Sequence, residues 1–241
     1  MDAIKIDRKQ VKMVAHRGLS GLELENTCAA FVAAGNRDYW GIETDVHQTA
    51  DGKYIIFHDD KTGRVATKDL VVEESTFDQL RALQLQEVRN NNTLRVDLRM
   101  PSPEEYFAIC KRYGKTAVFE LKNPFEEARV AELVAIAQKE IGLENVVFIS
   151  FFFQNLVFVR KAAPEANCQF LTGKDFNEEH KKLMMEHKID LDIYHVHVNA
   201  QLVAEMHEKG ISVNCWTVDD PDRAKELVEM GVDYITSNIL H

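Results

Sequence analysis

The chain has 241 residues, with 29 Lys and Arg against 39 Asp and Glu, for a formal charge of −10. It lacks the clustered cations that displace counterions from polyanions, so its composition argues against a nucleic-acid binder. With 45% hydrophobic and 28% charged residues, it sits near the globular average and away from disordered, collagen-like and coiled-coil chains.

The four cysteines, Cys28, Cys110, Cys168 and Cys215, form no CxxC pair and no zinc-finger spacing with histidine, which points to a reducing compartment. MDAIKIDRKQ has no apolar stretch of signal-peptide length, and no run is apolar enough to span a bilayer. The expectation is a cytoplasmic, unanchored protein folded as one domain over 1–241.

In chain order, eight short apolar runs read as strands: 11–15, 41–47, 116–121, 145–150, 167–171, 191–196, 211–216 and 232–237. Helix-like stretches lie between them. Glu25-Asn26-Thr27 precedes CAAFVAAG, and Pro124 and Pro221 stand where first helical turns would begin. Gly35, Gly142, Gly210 and Gly231 each follow a helical pattern, where a left-handed cap residue is wanted. Runs such as VVFI and AVF are continuously apolar, as buried parallel strands covered by helices should be. Eight strand–helix units predict a (β/α)8 TIM barrel. An open doubly wound sheet would show the same alternation, but no GxGxxG follows the first strand to support a dinucleotide site.

The connection from the second strand to the third, residues 48 to 115, is longer than the others and predicts a small insertion at about 59–102. Thr49-Ala50-Asp51-Gly52 signals a turn, after which KYIIFH returns antiparallel as a hairpin. STFDQLRAL reads as a short helix, NNNTLRVDLRM as polar loop, and PSPEEYFAICKRYG as the helix leading to the third strand.

Barrel active sites lie at the carboxyl ends of the strands. There the first strand ends in His16-Arg17-Gly18, the second carries Glu43 and Asp45, the third ends in Glu120 and Lys122, and the seventh ends in Trp216. Glu43 and Asp45 are two apart and share a face, so their like charges need a cation or a donor. Glu120, between Phe119 and Leu121, has the same need. Three oxygen donors without nitrogen or sulfur favour Mg2+ or Ca2+ over zinc. Capping or pairing with arginine is the plainer reading of any one of them.

A hairpin centred on 50–52 would set His58 opposite Thr44, at the rim that holds His16, and paired histidines can serve as base and acid. Arg17 and Lys122 imply an anionic substrate, although Lys122 could also pair with Glu120 or Asp45. Trp216 fits a pocket wall and a packed core equally, and of Phe151, Phe152 and Phe153 at least one should pack. His195 and His197 alternate at a strand end, a spacing open to metal but more usual in core or surface roles. His180, His187, His207 and His241 receive no role.

Taken together, VAHRGLSGLELENTCAAFVAAG, GIETDVHQTADGKYIIFHDD, FELK and VNCWTV resemble the glycerophosphodiester phosphodiesterase family, over about Val14 to Tyr234. The resemblance implies a barrel enzyme that hydrolyses glycerophosphodiesters to an alcohol and glycerol 3-phosphate with one divalent cation, Mg2+ or Ca2+. It places the catalytic histidines at His16 and His58 and the metal carboxylates at Glu43, Asp45 and Glu120. Substrate-binding residues fall on Arg17, Lys122 and Trp216. After the last strand the family often shows Asp and Pro, whereas this chain has Ser237-Asn238-Ile239. The rival activities are a phospholipase D or lysophospholipid hydrolase of the same barrel, and a catalytically silent phosphate-binding barrel.

Overall fold

The computed structural model describes residues 2–87 and 93–241. Strand β1 (Lys12–Ala15) leads through α1 (Cys28–Gly35) to β2 (Gly41–Gln48), which turns into the antiparallel β3 (Tyr54–Ile56). Next come α2 (Phe77–Arg81), β4 (Leu85–Glu87), β5 (Thr93–Arg95) and α3 (Pro103–Tyr113). Regular alternation then resumes with β6 (Thr116–Leu121), α4 (Glu127–Glu140), β7 (Val146–Ser150), α5 (Phe153–Ala162) and β8 (Asn167–Thr172). It closes with α6 (Glu178–His187), β9 (Asp190–Tyr194), α7 (Ala200–Glu208), β10 (Val213–Trp216), α8 (Pro221–Met230) and β11 (Tyr234–Ser237).

The parallel strands pair in the order β1, β2, β6, β7, β8, β9, β10 and β11, and β11 pairs back with β1, closing a (β/α)8 barrel. Closure leaves these strands no free edge. Residues of one parity on each strand meet the helices in a large apolar shell that includes Met13, Ile42, Phe119 and Phe148. The opposite parity fills the barrel with Val14, Val118, Val147, Ile149 and Leu171, packed against Trp40 and Trp216. A separate apolar cluster, with Ile55, Phe57, Val72, Leu80 and Met100, lies under the long connection.

Local signals explain the helix starts. Thr27 accepts from Ala30 N at α1, and Ser102 and Glu105 form a reciprocal capping box at α3. Pro221 opens α8, but α4 begins at Glu127, three residues beyond Pro124, so that proline belongs to the preceding loop. Gly142, Gly210 and Gly231 have positive φ, whereas Gly35 does not and is the last residue of α1. A Cβ at Gly35 would lie 2.5 Å from Tyr113 Cγ, so the glycine is there for close helix approach.

The structure departs from the sequence reading in two other places. Thr93–Arg95, read as loop, pairs antiparallel with β4; Asn90, Asn91 and Asn92 of the same reading lie outside the described residues. The strand expected over 191–196 stops at Tyr194, and His195–His197 form a short 3-10 turn, so these histidines do not alternate on a strand. Among the described residues no helix is long and apolar enough to cross a membrane.

Candidate active site

The site is built first by β2 and β6, whose parallel register makes Asp45 the direct partner of Glu120. Glu43, Asp45 and Glu120 are 3%, 1% and 7% exposed, and one oxygen from each lies within 4.8 Å of the others. Burial, then the neighbouring acids, pushes Glu43 well above the usual carboxylate range and Glu120 up to about 8. At Asp45 burial also opposes ionisation, but Lys122 and Arg17 outweigh it and hold that carboxyl below its ordinary value. Lys122 Nζ is 3.4 Å from Asp45 Oδ1 and 3.0 Å from Glu120 Oε1. Glu120 Oε1 nevertheless has no well-directed hydrogen bond, so that contact is an ion pair without a directed N–H.

Strand β1 and the turn after it supply His16 and Arg17. Arg17 adopts φ +54° and Gly18 φ +75°, and Arg17 N–H donates to Glu43 Oε2 at 2.7 Å. Left-handed backbone at a non-glycine costs on the order of 1–3 kcal/mol, so the contact to Glu43 and the surrounding packing hold the turn. A Cβ on Gly18 would come within 2.7 Å of Ala30 backbone. Arg17 Nη1 donates to Glu25 at 2.8 Å, while its Nε, 3.6 Å from Asp45, is buried without a hydrogen-bond partner.

The two imidazoles are oriented differently. Asn238 Oδ1 lies 2.8 Å from His16 Nδ1; an amide oxygen can only accept, so Nδ1 carries the proton and Nε2, 4.0 Å from Glu43, keeps a lone pair. Asn238 Nδ2 in turn donates to Asp219 at 2.6 Å. Burial, then the Arg17 charge, pulls His16 down to about 4. His58 arrives by the hairpin: Val46 pairs with Ile56 and Gln48 with Tyr54, a register that continues to His58 beside Thr44. Its Nδ1 is 2.6 Å from Asp59 Oδ1, and burial lowers its pKa despite the nearby Asp45.

His16, Arg17, Glu43, His58, Glu120, Lys122 and Trp216 thus line one cleft of about 390 Å³, with Asp45 ion-paired just behind Lys122. Trp216 Nε1 donates to the Asp192 carbonyl at 3.4 Å, and the ring meets Phe151 and Tyr194, each at 5.4 Å between centroids. Phe153 packs on Phe170, whereas Phe151, which lines the cleft, and the adjacent Phe152 are 43% and 39% exposed. A larger hollow of about 1090 Å³ lies outside the barrel, but its Arg81, Arg95 and Arg99 are already paired with Glu105 and Asp97. His195 and His197 do not line the cleft. Cys110, Cys168 and Cys215 are buried.

Several residues of the site carry no signal in a motif-by-motif reading. Asn26, at φ +54°, donates to Asp45 at 2.7 Å and accepts from Thr44 at 2.7 Å. Buried His47 contacts the His58 carbonyl at 3.2 Å. Asp192, in the middle of β9, and Asn238, just after β11, face the cleft only because the barrel closes. Asn26 alone could have been suspected, from its place in the Glu25-Asn26-Thr27 cap.

The class this defines is that of (β/α)8 barrels whose cleft holds buried acids, two imidazoles and two cations. Residues 16–239 match the glycerophosphoryl diester phosphodiesterase family. A glycerophosphodiester phosphodiesterase of Caldanaerobacter subterraneus subsp. tengcongensis is 28% identical over 229 residues, covering 94% of this chain and 93% of its own. That of Bacillus altitudinis is 27% identical, covering 93% of each chain. An Oleispira antarctica phosphodiesterase in complex with the product sn-glycerol-3-phosphate superposes with a TM-score of 0.86 at 24% identity, covering 98% of this chain and 96% of the other. The chain therefore belongs to the glycerophosphoryl diester phosphodiesterase family, and its enzymatic class is that of the phosphoric diester hydrolases.

Proposed function

We propose that this protein hydrolyses glycerophosphodiesters to an alcohol and glycerol 3-phosphate, using one divalent cation and two histidines. The observation that carries the reading is the meeting of three buried carboxylates with two imidazoles and two cations in one cleft.

The donor set fits a hard cation: three oxygen side chains, two of them pushed up by burial and then by the neighbouring acids, and one sealed oxygen without a directed partner among the described residues. Glu43, Asp45 and Glu120 would hold Mg2+ or Ca2+, which when bound polarises phosphoryl oxygen and offsets the acidic repulsion. Arg17 and Lys122 attract and orient the phosphodiester, and their positive charge meets the negative charge that grows on its oxygens. His16, with its proton held on Nδ1 by Asn238, takes the proton of the attacking oxygen at Nε2. That oxygen comes from water or from the glycerol 2-hydroxyl. His58 has a carboxylate partner in Asp59, which favours its protonated form, and it gives a proton to the leaving oxygen. Trp216 walls the cleft.

Exposed Phe151, which lines the cleft, favours a second reading, hydrolysis of a lysophospholipid whose acyl chain lies on this ring. Residence in the cytoplasm, with a part in glycerol and phospholipid metabolism, accords with the four unpaired cysteines.

The test is release of glycerol 3-phosphate from glycerophosphocholine with Mg2+ or Ca2+ and with a chelator, beside lysophosphatidylcholine. Cation-dependent release from the soluble diester is expected. Turnover of the lipid alone would select the second reading, and phosphate binding without hydrolysis of either would overturn both.

A further inference from the structure

Asp192 belongs to none of the groups assigned above, yet it lines the same cleft as Glu120, Lys122 and Trp216. It is the middle residue of β9, register partner of Leu171 on β8 and of Asn214 on β10, and its side chain is on the parity that points into the barrel with Asn214 and Thr236. The residue is 2% exposed, and its Oδ1 is buried without a hydrogen-bond partner. Among the described residues neither side-chain oxygen accepts a hydrogen bond, and no Lys or Arg pairs with it. Its polar neighbours are satisfied elsewhere: Asn214 donates to Gln169 at 3.0 Å and Thr236 to Asn214 at 3.2 Å.

Burying a carboxyl without donors is costly, and such a group in a native protein marks strain, a functional role, or a water, ion or ligand that completes it. Burial, reinforced by Glu120, pushes the Asp192 pKa well above the ordinary range. The two cations of the cleft are engaged with Asp45, Glu120 and Glu25, so they are not its counter-ions. Among the described residues none supplies the donor it lacks, and a hydroxyl of a bound substrate would. In a glycerophosphodiester the alcohol varies, but the glycerol always presents two hydroxyls, each able both to donate and to accept. The aromatic rim at the mouth, Phe151, Tyr194 and Trp216, leaves the inner polar end for that constant part.

We propose that Asp192 accepts the hydroxyl groups of the substrate's glycerol arm and so determines the preference for glycerol-bearing diesters. This rests on the reading of the cleft as a glycerophosphodiester site, and it adds the residue that tells glycerol from other alcohols. A site built to hydrogen-bond a hydroxyl discriminates strongly against analogues without one, because its own polar group is then left unpaired.

The experiment compares binding of sn-glycerol 3-phosphate and of propyl phosphate, which lacks both hydroxyls, to wild type, Asp192→Ala and Asp192→Asn by calorimetry with Mg2+ present. Wild type should prefer glycerol 3-phosphate by about 10- to 100-fold, the range for leaving a buried polar group unsatisfied, and Asp192→Ala should lose that preference. Asp192→Asn, which keeps the shape and one acceptor, should fall between them, and melting curves no lower than wild type would show both variants folded. KM for glycerophosphocholine and for glycerophosphoethanolamine should rise by the same factor in Asp192→Ala.

Full retention of the preference by a folded variant would overturn the proposal while leaving the hydrolase reading intact. A KM rise confined to glycerophosphoethanolamine would mean that Asp192 reads the amine, and would overturn it likewise. Wild type that neither binds glycerol 3-phosphate nor hydrolyses glycerophosphocholine would refute the hydrolase reading itself, and the subsite with it.

Discussion

Arg64 joins two loops that the chain separates: its Nη2 lies 2.6 Å from Glu25 Oε1, and its Nε lies 2.6 Å from Asp59 Oδ2. Glu25 also receives Arg17, and Asp59 holds His58, so a continuous ionic chain runs from Arg17 to His58. Burial opposes ionisation at both acids, but Arg64 foremost outweighs it and holds Glu25 and Asp59 down at about 2. Arg64 is 40% exposed, so its contribution to stability is small, but its geometric effect on the cleft is not. Arg64→Ala should lower kcat/KM by about 10- to 100-fold, as loss of an outer-shell partner does, with little change in Tm. A variant with wild-type kinetics would show that His58 and Arg17 are held without it.

Asp45 and Glu43 should respond in opposite ways to loss of their charge. Asp45 is the carboxylate that buried Arg17 and Lys122 share, so Asp45→Ala leaves Arg17 with Glu25 alone and Lys122 with Glu120 alone, and should cost about 3–5 kcal/mol. Glu43 is disfavoured as an anion in the cation-free protein, so Glu43→Gln should leave Tm unchanged or raise it. Both variants should lose the rise in Tm on adding Mg2+ or Ca2+ to wild type. Equal destabilisation by the two changes would contradict the charge balance described above.

Removing either imidazole should slow turnover by about 100- to 10,000-fold, the usual worth of a general acid or base. Asn238→Ala tests orientation separately: it frees His16 to take the other tautomer and should reduce kcat while KM stays near wild type. A change confined to KM would place Asn238 in substrate binding instead.

An acid-stability test falls outside the cleft. Glu105 accepts from Arg81, from Arg99 at 3.0 Å and from Ser102 N–H at 2.8 Å. Burial opposes its ionisation, but Arg81 and then Ser102 outweigh burial and hold Glu105 down at about 2, below its unfolded value of 4.5. A depressed folded pKa means the stabilisation is complete above about pH 4.5 and disappears as pH falls through about 2. With the side chain 30% exposed, screening reduces it to on the order of 1 kcal/mol. The Tm gap between wild type and Glu105→Gln should therefore close between pH 5 and pH 2; a gap that persists at pH 2 would locate the effect in packing.

At Gly35 two magnitudes compete. Alanine would improve helix propensity by about 1 kcal/mol, but its Cβ would lie 2.5 Å from the Tyr113 ring. Overpacking of that kind costs about 1–3 kcal/mol, so Gly35→Ala should lower Tm. A rise would mean that α1 and α3 can move apart freely.

The barrel was legible because continuous apolar runs with helical stretches between them have few compact solutions, and each of the eight runs overlaps a barrel strand. Period-two spacing alone also puts Glu43 and Asp45 on one face. The pair β4 and β5 left no such trace: Thr93 and Leu94 are exposed, and a surface pair needs no apolar alternation.

What the amino-acid order determined by itself was therefore local: which segments are strands or helices, and which acids, histidines and cations stand at strand ends. Only the closed tertiary structure decided who meets whom. It made Asp45 the partner of Glu120, brought Asn238 from the last loop to His16, joined Glu25 to Asp59 through Arg64, and left Asp192 alone inside the barrel. The physical reason is that burial and pairing depend on through-space neighbours, and closing β11 onto β1 places residues more than two hundred positions apart within hydrogen-bond reach.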